Sequence, residues 1–228
     1  MYRHCDVEQL EHGLKRGARS SRKLIVTESL FSMDGDEAPL KQIVELSEKY
    51  DAMTMVDEAH ATGVYEPDGA GLVSQLGLAE RVLVQMGTLG KALGGFGAYV
   101  AGSAVLRELL INRCRSFIFT TSLPPAVMAM GIAALELIKH EPERRRVLRD
   151  NCARIRSGLA KLGYSLGDSR SQILPLMIGD ADESMRLSDR LLDRGIFAQG
   201  IRPPTVPPGT SRLRITLMAT HTSDQIDR

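Results

Sequence analysis

The chain has 228 residues, 43% of them apolar and 25% charged, a composition far from the weakly hydrophobic, highly charged regime of disorder and sufficient for a packed core. With 29 basic against 28 acidic residues the formal charge is +1, which offers no electrostatic footprint for nucleic acid or an anionic membrane. Cys5, Cys114 and Cys152 are odd in number and widely spaced, so neither a disulfide framework nor a zinc site is indicated, and a reducing cytoplasm fits.

In chain order, Asp6 can cap a helix whose apolar positions Val7, Leu10 and Leu14 share a face, and Leu24 to Thr27 then reads as a short buried strand. Pro39 suits the start of a helix carrying Leu40, Ile43, Val44 and Leu46, followed by an apolar strand from Met53 to Val56 that ends in Asp57 and Glu58. Val82 to Val84 and Ala98 to Ala101 are read as two more strands. Short apolar runs without alternation, separated by helical segments, predict an α/β fold with a largely parallel sheet covered on both faces.

The longest apolar stretch, Leu123 to Ile138, is interrupted by Pro124, Pro125 and Glu136 and is shorter than the roughly 20 residues of a membrane helix. It is expected as a helix running to about His140, and Pro142 opens another reaching about Gly163, with Arg144, Arg145 and Arg146 on a solvated face. The domain change is placed here, at 140/141. Strand Ile173 to Ile178, helix Glu183 to Arg194, strand Ile196 to Gln199, a proline-rich turn and strand Arg212 to Leu217 make a small α+β domain. Thr222 with Gln225 is a capping box opening a helix that the chain end leaves only about two turns.

Chemistry concentrates in two places. Gly87 to Gly95 sets Lys91 after a strand in a glycine-dense loop, where backbone can approach a ligand closely and an amine can condense with a carbonyl cofactor. Asp57 ends the preceding strand, with His60 three residues later; a carboxylate beside a pyridinium nitrogen keeps it protonated and the ring an electron sink. Taken singly, each has a plainer reading as a solvated turn lysine, a helix cap or a hydrogen-bonded loop histidine. Asp57-Glu58-Ala59-His60 also matches the magnesium motif of a helicase class, but that chemistry needs a GxxxxGK[ST] loop, and Ala92 stands where its hydroxyl would be.

The segments Val26 to Asp36, Asp57 to His60, Thr88 to Lys91 and Thr120 to Pro125 resemble, in order and spacing, the α-oxoamine synthases. The resemblance runs across essentially the whole chain. It implies the fold-type I architecture of pyridoxal-phosphate (PLP) enzymes and a homodimer with active sites at the subunit interface. It implies Lys91 as tether of PLP and then as base, Asp57 on the pyridine nitrogen, Ser32 and His60 near the phenolic oxygen, and Thr88 on the phosphate. Thr121 would reach the phosphate in the neighbouring subunit. Thr205 would contact substrate, and Arg214 would grip the amino acid's carboxylate; strand geometry alone does not separate Arg214 from Arg212.

Ile201 to Arg214 resembles most the branch that joins L-alanine to a pimeloyl thioester, carried on coenzyme A or acyl carrier protein, with glycine- or serine-using siblings as the alternative. Cys5 stands where the family usually has asparagine. Family members also carry a long region before the stretch resembling Arg3 to Asp6, supplying a glycine-containing phosphate loop and a histidine that stacks on the ring. The chain is therefore expected to be a fragment, inactive alone, or else a non-catalytic relative of a longer synthase.

Overall fold

The computed structural model describes residues 1–65 and 67–228. Two compact units emerge, the first Met1–Leu30 with Ala38–Pro142, the second Phe31–Glu37 with Glu143–Arg228.

In the first unit α1 (Val7–Arg16) starts where the Asp6 carboxylate accepts from Gln9 N at 2.8 Å, and it buries Leu10 and Leu14. Cys5, just before it, is left-handed at φ 53°. That conformation is strained for most side chains and tolerated best by asparagine and aspartate. Strand β1 (Leu24–Glu28), helix α2 (Leu40–Lys49), strand β2 (Met53–Asp57), the short helix α3 (Leu72–Gln75), and strands β3 (Val84–Thr88) and β4 (Ala98–Ala101) follow.

The sheet order is β1-β2-β3-β4. The first three strands are parallel, and β4 returns antiparallel to β3 with Thr88 opposite Ala98. Strand β3 lies later than Val82–Val84 because its pairing to β2 begins at Met55↔Val84, while Val82 N closes a turn onto Leu78 O at 3.1 Å. Apolarity marked the buried approach, but pairing set the strand.

The expected cover on both sheet faces is not met among the described residues. Ile25 is 4% exposed and Thr27 9%, whereas Leu24 and Val26 on the opposite face are 53% and 56% exposed. Helices α4 (Ala104–Arg113), α5 (Arg115–Ile118) and α6 (Pro125–His140) complete the unit, and none has a buried residue. Ile132 and Leu135 of the apolar α6 are open to solvent. No helix among the described residues is long and apolar enough to cross a membrane.

The second unit contains α7 (Glu143–Lys161), β5 (Ile173–Gly179), α8 (Ala181–Leu192), β6 (Gln199–Ile201), β7 (Ser211–Thr216) and α9 (Ser223–Asp227). Its antiparallel sheet runs β5-β7-β6 over a core that includes Cys152, Leu174, Leu176, Leu213 and Ile226. Burial there pushes the Cys152 thiol up to about 11. The capping box of Thr222 and Gln225 is formed. Strand β6 begins only at Gln199, because Gly195 (φ 75°) turns the chain beyond the end of α8 and Ile196 N bonds back to Leu191 O at 2.9 Å.

Candidate active site

Parallel pairing puts the C-terminal ends of β1, β2 and β3 on one edge of the first unit's sheet, with Glu28 opposite Asp57 and Asp57 opposite Met86. Ligands of open parallel sheets bind at this edge. Asp57 ends β2 there, and Thr88 ends β3 two residues beyond Met86. Asp57 is half-buried, and its Oδ1 accepts from Ala59 N at 2.8 Å, which fixes the carboxylate's direction. His60, also half-buried, follows three residues later in the same turn.

Lys91 is exposed in the β3–β4 connection, whose ends close through Leu89 N to Gly97 O at 2.9 Å and Gly95 N to Leu89 O at 2.6 Å. Gly87, within β3, lets the Tyr99 ring cross the strand; a Cβ there would lie 2.4 Å from the phenol oxygen. The Thr88 hydroxyl is buried with no hydrogen-bond partner among the described residues. A buried orphan hydroxyl costs about 1–3 kcal/mol unless something fills it, so Thr88 marks a place where a polar ligand atom belongs. Thr121 is exposed in the non-helical residues before α6 and makes no side-chain hydrogen bond among the described residues.

Ser32, Thr205 and Arg214 belong to the second unit. Thr205 is exposed in the turn before β7, its N donating to Arg202 O at 3.0 Å. Arg212 and Arg214 share one face of β7 but differ in occupation. Arg212 is 4% exposed; its Nη1 bonds Asp34 Oδ1 and, at 3.2 Å, Met33 O, and its Nε bonds Thr210 O at 3.0 Å. Arg214 spends only Nε, on Ser32 O at 2.6 Å, and has no ion pair among the described residues. Burial without a carboxylate pulls its guanidinium below the usual arginine range.

Two features were not singled out from the sequence. Glu58, adjacent to Asp57, is 3% exposed and accepts from Leu72 N at 2.9 Å, Val73 N at 2.7 Å and Ser29 Oγ at 3.1 Å. Ser29 N in turn bonds Asp57 O at 2.9 Å, so the carboxylate ties two strand ends to α3. Burial, outweighing these donors, raises the Glu58 pKa. Gly71, at φ 132°, would place a Cβ 2.3 Å from Glu58 Oε2, and an acidic residue beside Asp57 with a glycine ahead of α3 was the only available signal. The second feature is Asp34, partner of Arg212.

The family model for aminotransferase class I and II matches residues 1–228. An 8-amino-7-oxononanoate synthase of Anaeromyxobacter dehalogenans is 53% identical over 99% of this chain and 56% of its own length. One from Trichlorobacter lovleyi is 51% identical over 100% of this chain and 59% of its own. The chain thus spans little more than half of the curated relatives it matches. Among solved structures, serine palmitoyltransferase (SPT) with PLP as internal aldimine superposes with a TM-score of 0.95 at 36% identity, over 99% of this chain and 57% of that one. An 8-amino-7-oxononanoate synthase from Francisella tularensis gives 0.84 at 27% identity, over 99% and 64%.

Proposed function

Because the chain belongs to the class I and II aminotransferase family and has the fold-type I architecture of its PLP enzymes, we propose that it is the lysine-bearing part of a PLP-dependent acyltransferase. The reaction proposed is that of 8-amino-7-oxononanoate synthase, condensation of L-alanine with a pimeloyl thioester with loss of CO2 and free thiol, a step of biotin synthesis. Identity of about half the positions along the whole chain to synthases of that name supports this choice. SPT neighbours of higher TM-score favour a second reading, a sibling using another amino acid and acyl chain. Their lower identity and the Ile201 to Arg214 segment weigh against it.

The observation that carries the cofactor reading is the strand edge bearing Asp57, Thr88 and the Lys91 loop together, with the Thr88 hydroxyl buried and unpartnered among the described residues. These residues fit PLP. Asp57, its Oδ1 held by Ala59 N, would hold the pyridine nitrogen in its protonated form. Thr88 Oγ1 would donate to a phosphate oxygen, joined by Thr121 of the neighbouring subunit, while His60 and Ser32 hydrogen-bond the phenolic oxygen. Bound PLP supplies the electron sink for a carbanion at the substrate's α-carbon. Lys91 Nζ would hold the cofactor's aldehyde and, once free, would take the substrate's α-proton and later return one. Arg214 holds the substrate carboxylate through its Nη groups, and Thr205 contacts the substrate. The assembly proposed with it is the one the family resemblance implies, a homodimer with active sites at the subunit interface.

Borohydride reduction of the full-length holoenzyme followed by peptide mapping should find the pyridoxyl group on Lys91. A label on Lys23, Lys41 or Lys139 would overturn the assignment. Turnover of alanine with pimeloyl-CoA or pimeloyl acyl carrier protein, set against glycine or serine with other acyl thioesters, tests the substrate pair.

A further inference from the structure

Residues Phe31–Glu37 leave the first unit after β1 and belong to the second, and the contacts that hold them there are specific. Within the loop Phe31 N bonds Asp36 O at 3.0 Å and Gly35 N bonds Phe31 O at 2.9 Å. Ser171 Oγ donates to Gly35 O at 2.9 Å, and Gly35 sits so close to β5 that a Cβ would lie 2.1 Å from Ile173 O. On β7, Arg212 takes the Asp34 carboxylate and the Met33 carbonyl, while Arg214 Nε takes the next carbonyl back, Ser32 O.

Two arginines on one strand face therefore grip one loop in different ways. The Arg212 guanidinium is buried and committed to the loop and its own turn. Among the described residues Arg214 is tied only at Nε, which sets the plane of the group and leaves the Nη edge for a ligand. A bidentate carboxylate clamp depends on that plane, since two parallel N–H···O bonds require the fork to face the ligand squarely. The carbonyl that sets the plane is itself held by the ion pair two residues along the loop.

We propose that Arg212 and Asp34 are positioning residues for substrate binding: their pairing fixes the Phe31–Glu37 loop on β7, so that Ser32 O aims the Arg214 guanidinium at the amino acid's carboxylate. The proposal rests on the reading of Arg214 as the carboxylate-binding arginine. It assigns no contact with substrate to either member of the pair.

The test uses two ligands for the full-length holoenzyme, alanine and ethylamine, which share the amine and differ by the carboxylate. Each is titrated by the change in cofactor absorbance, in wild type, Asp34→Asn and Arg214→Met. Asp34 is half exposed, so Asp34→Asn does not bury an unpaired group of its own. Arg214→Met should abolish the preference for alanine over ethylamine, and Asp34→Asn should reduce it by about tenfold, the loss expected when one charge-assisted hydrogen bond goes. Wild-type preference in Asp34→Asn, with preference lost in Arg214→Met, overturns the positioning role and leaves the carboxylate reading standing. Equal weakening of both ligands in Asp34→Asn also overturns it, since a general structural defect does not distinguish them. Unchanged preference in Arg214→Met removes the carboxylate reading itself, and the proposal with it.

Discussion

Gly35→Ala probes the loop that carries Ser32 at its tightest point. Gly35 lies at φ +66°, and a Cβ built on it meets Ile173 O at 2.1 Å, Ser169 Oγ at 2.8 Å and Ile173 C at 3.1 Å. The left-handed backbone costs an alanine about 1–2 kcal/mol. Cβ atoms do not approach a backbone oxygen closer than about 3.0 Å, so loop and strand must part by about 0.9 Å, an overpacking that costs about 1–3 kcal/mol. The parting stretches the bond from Ser171 Oγ to Gly35 O, worth about 1 kcal/mol. Together these give about 3–6 kcal/mol, a large share of the about 5–15 kcal/mol by which a domain is stable. Gly209→Ala is the matched control, because Gly209 has φ +78° with no atom within 4 Å of its Cβ position; it should cost the backbone strain alone, about 1–2 kcal/mol. Urea unfolding of wild type and both variants measures the difference. Equal destabilisation of the two would show that the close approach to Ile173 contributes nothing and that the loop is not seated on β5.

Thr88→Val should leave the stability of the cofactor-free protein unchanged or slightly improved, since it removes a buried hydroxyl without a partner among the described residues. It should weaken PLP binding about tenfold in equilibrium dialysis; destabilisation of the cofactor-free protein by more than about 1 kcal/mol would mean the hydroxyl is already satisfied. For Glu58, burial raises the folded pKa above the ordinary 4.5, so folding favours the protonated form. The stability it contributes is complete below that value and is lost as pH rises through the raised one. The difference in unfolding free energy between wild type and Glu58→Gln should therefore shrink from acid toward neutral pH, and a difference that grows would show that the three donors outweigh burial.

The alternation of helix and strand, the parallel β1, β2 and β3 and the capped starts of α1 and α9 were legible in the sequence, because caps and apolar periodicity are local signals. Asp57 and Lys91 drew notice for a local reason too, since a carboxylate ending an apolar strand and a lysine among glycines are patterns of neighbouring residues, and the fold places Asp57 at the end of β2 and Lys91 in the β3–β4 connection. What stayed illegible depends on contacts between distant parts of the chain. Nothing local distinguishes Arg212 from Arg214 at alternate positions of one strand; only Asp34, 178 residues away, commits the first. Nothing local marks Glu58 as a buried clamp, since its donors come from Ser29, Leu72 and Val73. The asparagine usual at the position of Cys5 has no chemical task visible in the sequence, and the φ of 53° supplies a conformational reason. The sequence by itself determined which residue types stand at the ends of which strands, whereas tertiary structure decided which charges are already spent on the fold and which remain for a ligand, because burial and pairing are properties of the packed chain.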